Sequence, residues 1–265
     1  METIPKIPQT LVCGIFLSAF TAPFQKAMPA HQNFAPFNFA RSAESKCAGR
    51  KKKEKDRKKK WEERLPLAAS FLLPLLLVVI VCISHEVYPF GDQCILHIDM
   101  YHQYCPFFTE LLHKLREGGS AFYTWNVGLG VDFVSLYAYY LASPLNWLLI
   151  FCPQGAVIEF MTILVVLKIS LAGLFFGYYL KYHFSSNHPA ISIFATAYAL
   201  SAFVAAYAWN IMWMDCIALA PLVLVGLEKL VKEEKTALYY VSLSLCILSN
   251  YYISIMICIL SLIHI

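Results

Sequence analysis

Twenty consecutive residues, Leu65 to Ser84, carry no charged side chain, and ten of the chain's 21 lysines and arginines lie directly before them, between Arg50 and Arg64. Twenty residues at about 1.5 Å rise match a hydrocarbon core of about 30 Å, so this segment reads as a transmembrane helix. Pro66 falls where a first helical turn tolerates proline, whereas Pro74 removes one backbone hydrogen bond inside the span. Four further runs have suitable length: Val157 to Leu180, Pro189 to Trp209, Ile211 to Leu230 and Ala237 to Leu260. With 59% hydrophobic and 14% charged residues, a soluble single-domain enzyme is excluded, and the expected fold class is an all-α polytopic membrane protein of about five transmembrane helices.

Charge placement sets the expected sidedness. Residues 1–64 carry a net +8 and residues 65–265 a net −4. Lysine and arginine next to a first span stay on the cytoplasmic side, so the block from Arg50 to Arg64 is expected inside and residue 85 outside. Lys229, Lys232 and Lys235 are expected inside as well, which requires an even number of crossings in between. The apolar stretch Phe133 to Phe151 would break that parity if it crossed. Its Tyr137, Tyr139, Tyr140, Pro144 and Trp147 suit an interfacial or re-entrant segment instead. Residues 85–156 then form one large external loop carrying amphipathic or interfacial helices, with Lys114 and Arg116 as its only lysine and arginine.

The boundaries follow from this. Residues 1–64 read as a disordered, basic cytoplasmic leader, and residues 65–265 as a multi-span domain. The apolar run Leu11 to Phe20 and the small residues Ala27 to Ala30 weakly imitate a signal peptide, but cleavage there would put the basic block outside. At the other end, Ile253 to Ile265 stops within an apolar helix, so a truncated chain is expected. A nucleic-acid patch would not account for the apolar runs, and no nucleic-acid partner is expected; the bilayer is the first partner. Nine cysteines form no C-x-x-C pair, and most lie in or beside apolar spans; Cys94 and Cys105 share the loop and are a possible disulfide.

Chemistry is expected in the loop. Phe107, Phe108, Leu111, Leu112 and Leu115 recur at helical spacing and mark an amphipathic helix whose apolar face packs on the bundle or the membrane. Asp99 stands before that helix with Gln103 one turn on, so a carboxylate and an amide can face one cleft. A carboxylate there serves equally as a helix cap or as a general base. Asp92 is a second carboxylate in the loop. His97, Asp99 and His102 match no established metal-ligand spacing, so no cofactor is assigned and a divalent cation stays open. The run Trp125-Asn-Val-Gly-Leu-Gly130 lacks the strand and helix context of a nucleotide-binding loop, yet Trp125 and Asn126 can stack on and hydrogen-bond a sugar. Within the spans, Lys168 and Asp215 stand out. Ionisable groups at such depth cost a few kcal/mol and face a polar cavity or a partner, so Lys168 is a candidate for a lipid phosphate or for pairing with Glu159 or Asp215. Asn250, with Tyr251 and Tyr252, forms a further polar cluster in an apolar run.

From about Leu65 onward the chain resembles the YfhO family of bacterial integral membrane proteins. The resemblance rests on Phe90-Gly-Asp92, Asp99-Met-Tyr-His-Gln-Tyr104 with Pro106-Phe-Phe108, Gly128-Leu-Gly130, Ala138-Tyr-Tyr-Leu-Ala-Ser-Pro-Leu-Asn146, Leu167-Lys-Ile-Ser-Leu-Ala-Gly173, Trp213-Met-Asp215, Gly226-Leu-Glu228 and Ser249-Asn-Tyr-Tyr252. That family is similar to glycosyltransferases of the GT-C type, with a catalytic carboxylate in the first external loop, a place that Asp99 matches. The resemblance implies transfer of a sugar from an undecaprenyl-phosphate-linked donor to a cell-envelope polymer such as lipoteichoic or wall teichoic acid. It implies Asp99 as catalytic residue; the chain's own polar and aromatic pattern adds Asp92, Gln103, Tyr104, Trp125, Asn126, Tyr139, Tyr140, Lys168, Asp215 and Asn250 as candidates around the substrates. The alternative is a non-enzymatic lipid transporter or flippase that uses Lys168 and Asp215 as a charge relay. A structural envelope-assembly subunit is the third.

Overall fold

The computed structural model describes residues 39–96 and 98–264. The chain divides into two compact units, 1–55 and 56–265, and the fold that follows is that of the second. It is helical almost throughout. Helix α1 (Phe39–Ser84) includes the first span, Trp61–Ser84. A π-helical turn, Met100–Tyr104, leads directly into α2 (Cys105–Glu117). The strands β1 (Tyr123–Thr124) and β2 (Val131–Asp132) form an antiparallel hairpin, with Tyr123 opposite Asp132 and Thr124 opposite Val131. Helix α3 (Phe133–Leu136), a second π-helical turn (Tyr137–Leu141) and a 3₁₀ helix (Pro144–Phe151) follow. The remaining helices are α4 (Val157–His183), α5 (Ala190–Ala199), α6 (Ala202–Tyr207), α7 (Ile211–Glu233), α8 (Ala237–Ser249) and α9 (Tyr251–His264).

Among the described residues, four helical segments are long and apolar enough to cross a membrane: Trp61–Ser84, Val157–His183, Ala190–Tyr207 and Ile211–Glu233. A fifth crossing arises if Phe133–Leu141 and Pro144–Phe151 count as one span, but the two are bent by 105°. Such a bend is the geometry of a broken span or of a re-entrant loop, in either of which backbone that leaves the helix is covered by protein. The run Ala237 to Leu260, expected as one span, is instead the two helices α8 and α9 of 13 and 14 residues. At about 1.5 Å per residue each reaches about 20 Å, short of a hydrocarbon core. The break falls at Asn250, whose backbone is extended. Likewise Pro189 to Trp209 is interrupted between α5 and α6. The basic block, expected in a disordered leader, is helical from Phe39 onward, continuous with the span behind it; its lysines, arginines and glutamates are good helix formers. The run Leu11 to Phe20 and the small residues Ala27 to Ala30 lie outside the described residues.

Burial sorts the spans. The apolar window of α4 is 56% buried and that of α7 is 61%, against 17% for the first span, so α4 and α7 are central and α1 is peripheral. Leu72, Leu76, Ile80 and Ile83 recur three or four residues apart on α1 and are 47–58% exposed, an apolar face suited to lipid. The other face of α1 meets α4 through Gly173 and Gly177. A Cβ on Gly173 would stand 2.5 Å from the Ser70 carbonyl oxygen and 2.9 Å from Pro74 Cγ, and one on Gly177 would overlap the Ser70 side chain. Glycines four apart thus let two backbones approach, the usual basis of helix packing in lipid.

One hydrophobic core joins the loop to the bundle. Phe108, Leu111, Leu141 and Leu149 from the loop pack with Met161 and Leu164 of α4 and Met214 of α7. The loop helices are therefore not free appendages. Helix α2 buries Phe107, Phe108, Leu111 and Leu112, the stripe expected from its spacing. A second cluster, Cys216, Val223, Cys246, Ile253 and Ile257, ties α7 to α8 and α9.

Candidate functional site

Asp99 opens the first π-helical turn. Ile98 before it has φ 50°, an unfavourable value for a β-branched residue, and the strained bend starts the turn at Asp99. Asp99 occupies the N-cap position, yet its side chain makes no cap hydrogen bond, and the residue is exposed. Gln103, half-buried, and His102, exposed, lie on the same turn.

Five residues later the same turn delivers Tyr104, which is 1% exposed. Its hydroxyl donates to Asn210 Oδ1 at 3.2 Å, fastening the loop to the start of α7. The Tyr104 ring meets Tyr140 edge-on at 5.4 Å, Tyr140 meets Tyr139 at 4.6 Å, and Tyr139 meets Tyr251 at 5.5 Å. Burial pushes the Tyr104 phenol well above the ordinary tyrosine range, and Tyr140, Tyr139 and the Asp99 carboxylate add to the rise. Asp99 therefore stands within electrostatic reach of a tyrosine wall, and Asp99, Tyr104, Tyr139 and Tyr140 come together as one group. Asp92 is exposed in the preceding turn, with no hydrogen bond or ion pair tying it to Asp99 among the described residues.

Trp125 and Asn126 belong elsewhere. They sit on the hairpin, where Gly130 at φ 104° turns the chain beneath the Tyr123 hydroxyl. Trp125 is 76% exposed. The Asn126 amide donates to Glu110 Oε2 at 2.8 Å, Thr124 Oγ1 donates to Glu110 Oε1 at 2.6 Å, and Lys114 Nζ lies 3.3 Å from the same carboxylate. Lys114 also donates to the carbonyls of Ser120 and Tyr123 and lies over the Phe133 ring. Desolvation is the strongest influence on the Glu110 carboxyl and acts upward. The hydrogen bonds from Thr124, Asn126 and Lys114, with the Lys114 charge, outweigh it and hold the group below the ordinary carboxylate range. The single sugar wall expected from the sequence is thus two groups, and Asn126 is committed to Glu110. Glu110 itself was not among the expected residues. Its signal was present, because it lies three residues after Phe107 on the buried stripe of an amphipathic helix, with Lys114 one turn on.

Deep in the bundle, Lys168 Nζ lies 2.7 Å from Asp215 Oδ2 and donates to the Ile211 carbonyl at 3.0 Å. Ser143 Oγ donates to Asp215 Oδ1 at 2.8 Å. Ser143 is at the corner of the bent pair, so the ion pair joins α4, α7 and that corner. Of the two partners expected for Lys168, Asp215 is the one it meets. The structure thus gives its ammonium to Asp215 and Ile211 rather than leaving it open to a lipid phosphate, and Lys168 is 1% exposed. Asn250 is fully buried at the α8–α9 break, where its Oδ1 accepts from the Ile253 N–H at 2.9 Å.

Cys94 and Cys105 are both free. No three His, Cys, Asp or Glu side chains among the described residues are grouped to hold a metal ion, and His97 lies outside the described residues.

Long apolar helices, a sharply bent element and a charge pair buried between spans define an all-α, multi-span membrane protein in contact with the lipid bilayer. Residues 69–265 match the family model described as bacterial membrane protein YfhO, and the chain belongs to that family. No curated protein and no solved structure matches the chain.

Proposed function

We propose that this protein is a membrane glycosyltransferase that uses a polyprenyl-phosphate-linked sugar on the outer face of the membrane and passes it to a cell-envelope polymer. In this reading the basic block and Lys229 to Lys235 face the cytoplasm, and residues 85–156 lie outside. Asp99 is the general base. It takes the proton of the acceptor hydroxyl as that oxygen bonds to the anomeric carbon, while the bond from that carbon to the phosphate oxygen breaks and the lipid phosphate leaves. Tyr139 and Tyr140, half-buried and backed by the buried Tyr104, offer a stacking and hydrogen-bonding surface for the sugar. Lys168 and Asp215 hold the framework.

The observation that carries the reading is the placement of Asp99: an exposed carboxylate with no cap hydrogen bond, within electrostatic reach of the buried Tyr104 and the half-buried Tyr140. The test is transfer of a radiolabelled sugar from its lipid carrier to polymer by membranes holding the full-length protein or its Asp99→Asn variant at equal abundance. Loss of about 10²- to 10⁴-fold in rate is expected, as for removal of a general base; undiminished transfer by the variant overturns the role. The same preparation separates the flippase alternative, for which the buried Lys168–Asp215 pair speaks: movement of intact lipid between leaflets without transfer to polymer would favour it.

A further inference from the structure

The proposed transfer leaves a phosphate to be held, and Lys168 is occupied. The break between α8 and α9 supplies a different kind of holder. Helix α9 is 14 residues long and begins inside the protein, directly after Asn250. The first N–H groups of a helix have no intrahelical partner and carry partial positive charge. Asn250 Oδ1 accepts one of them, from Ile253. That bond also fixes which way the side-chain amide points, because the opposite orientation would set two donors face to face. Asn250 Nδ2 is thereby turned away from Ile253 at the break, fully buried and without a hydrogen-bond partner.

A second donor is in the same state. Trp213 Nε1 is buried and unpartnered, and its ring stacks on Tyr252 in the first turn of α9 at 6.2 Å. Trp213 also packs on the cluster that contains Cys216, Cys246 and Ile253. Two buried, unpartnered donors thus flank the start of α9, one on Asn250 and one on the ring stacked on Tyr252, and the buried, unpartnered Ser249 hydroxyl beside them can donate as well. Buried donors are ordinarily satisfied, and this set suits an anion. Tyr251, the next residue, touches Tyr139 of the tyrosine wall, so the break adjoins the group that contains Asp99.

We infer that the N-terminus of α9, with Asn250 Nδ2 and Trp213 Nε1, binds the phosphate group of a membrane lipid, and that this is where the donor phosphate is held during transfer. The choice of a polyprenyl carrier rests on the proposed function; the preference for a lipid-borne phosphate rests on the donors themselves.

The test is binding of undecaprenyl phosphate to the full-length protein in lipid nanodiscs, with undecaprenol, which shares the chain and lacks the phosphate, as the comparison. Wild-type protein should bind the phosphate form at least 10-fold more tightly. Asn250→Asp keeps an oxygen for the Ile253 N–H and replaces the donor with an acceptor, so a capping role alone would leave binding intact; the phosphate preference should instead disappear. Trp213→Phe keeps the ring on Tyr252 and removes the N–H, and should lower the preference several-fold. Equal binding of undecaprenol, or an undiminished preference in both variants, overturns the site. Displacement by equimolar phosphatidylglycerol would assign the site to bulk phospholipid phosphate, and resistance to it to the carrier; either supports a phosphate site. Phosphate-dependent binding without transfer by the wild type would end the enzyme reading and leave the site. Transfer, with binding indifferent to both variants, would do the reverse.

Discussion

Lys168 and Asp215 face each other at 2.7 Å with 1% and 6% of their side chains exposed, and the second carboxylate oxygen accepts a hydrogen bond from the Ser143 hydroxyl. The pair spans two central helices and reaches the corner of the bent element. Removing one member strands a buried charge, which costs about 3–5 kcal/mol, whereas replacing both with apolar residues of similar size is often neutral. Lys168→Met should therefore sharply lower the thermal stability of the detergent-purified protein, and adding Asp215→Leu should restore most of it. A double variant as unstable as the single one would show that the pair is needed for more than charge balance.

Ser143 tests the corner separately. Ser143→Ala leaves Asp215 Oδ1 without its buried donor, at a cost of about 1–3 kcal/mol. The measurement is the same thermal denaturation, together with limited proteolysis around residues 141–144. Unchanged melting with unchanged proteolysis would mean that the corner is held by packing alone.

Glu110 clasps the hairpin to α2. Glu110→Ala should speed amide hydrogen exchange across residues 123–132 by about 5- to 100-fold, matching about 1–3 kcal/mol, while α2 keeps its protection. The carboxyl is held below its ordinary value, so its contribution is complete above the unfolded-state value of about 4.3 and is lost as pH falls through the depressed folded value. Hairpin protection should accordingly hold from neutral pH to about pH 5 and fail only in stronger acid. Loss of protection near pH 6 would contradict the assignment.

Gly173 and Gly177 set how closely the first span approaches α4. Gly173→Leu should push Ser70 and Pro74 of α1 away from α4 and lower the yield of folded protein, since overpacking of this kind costs about 1–3 kcal/mol or more. Thermal denaturation of the detergent-purified protein checks the contact: Gly173→Leu should melt at a clearly lower temperature, and unchanged melting would show that the two helices do not approach closely there.

Much of the architecture was legible in the sequence because an apolar run of 20 residues has few alternatives in water or lipid. The stripe of α2 was legible too, from spacing, whereas the 105° bend within Phe133 to Phe151 was not, since aromatic content and charge parity do not fix the angle between two helices. Ala237 to Leu260 was misjudged because hydropathy averages over a single residue: Asn250 caps a new helix, and only its chemistry marks the break. The partners in the site were the least legible. Tyr104 meets Asn210, Ser143 meets Asp215 and Asn126 meets Glu110 across separations of 106, 72 and 16 residues. Periodicity carries no information at such distances. Lys168 and Asp215 could be flagged by their cost in a span, but the choice between binding a substrate and binding each other required the geometry.

Outward exposure of the loop that bears Asp99 is the claim on which the proposed chemistry turns. Cys94 lies in that loop, exposed and unpaired, and serves as a native probe. In intact cells expressing a variant that keeps Cys94 alone, a membrane-impermeant maleimide should label it fully, while a cysteine placed at Lys232 should react only after the membrane is opened. Protection of Cys94 together with labelling at position 232 in sealed cells would contradict the account.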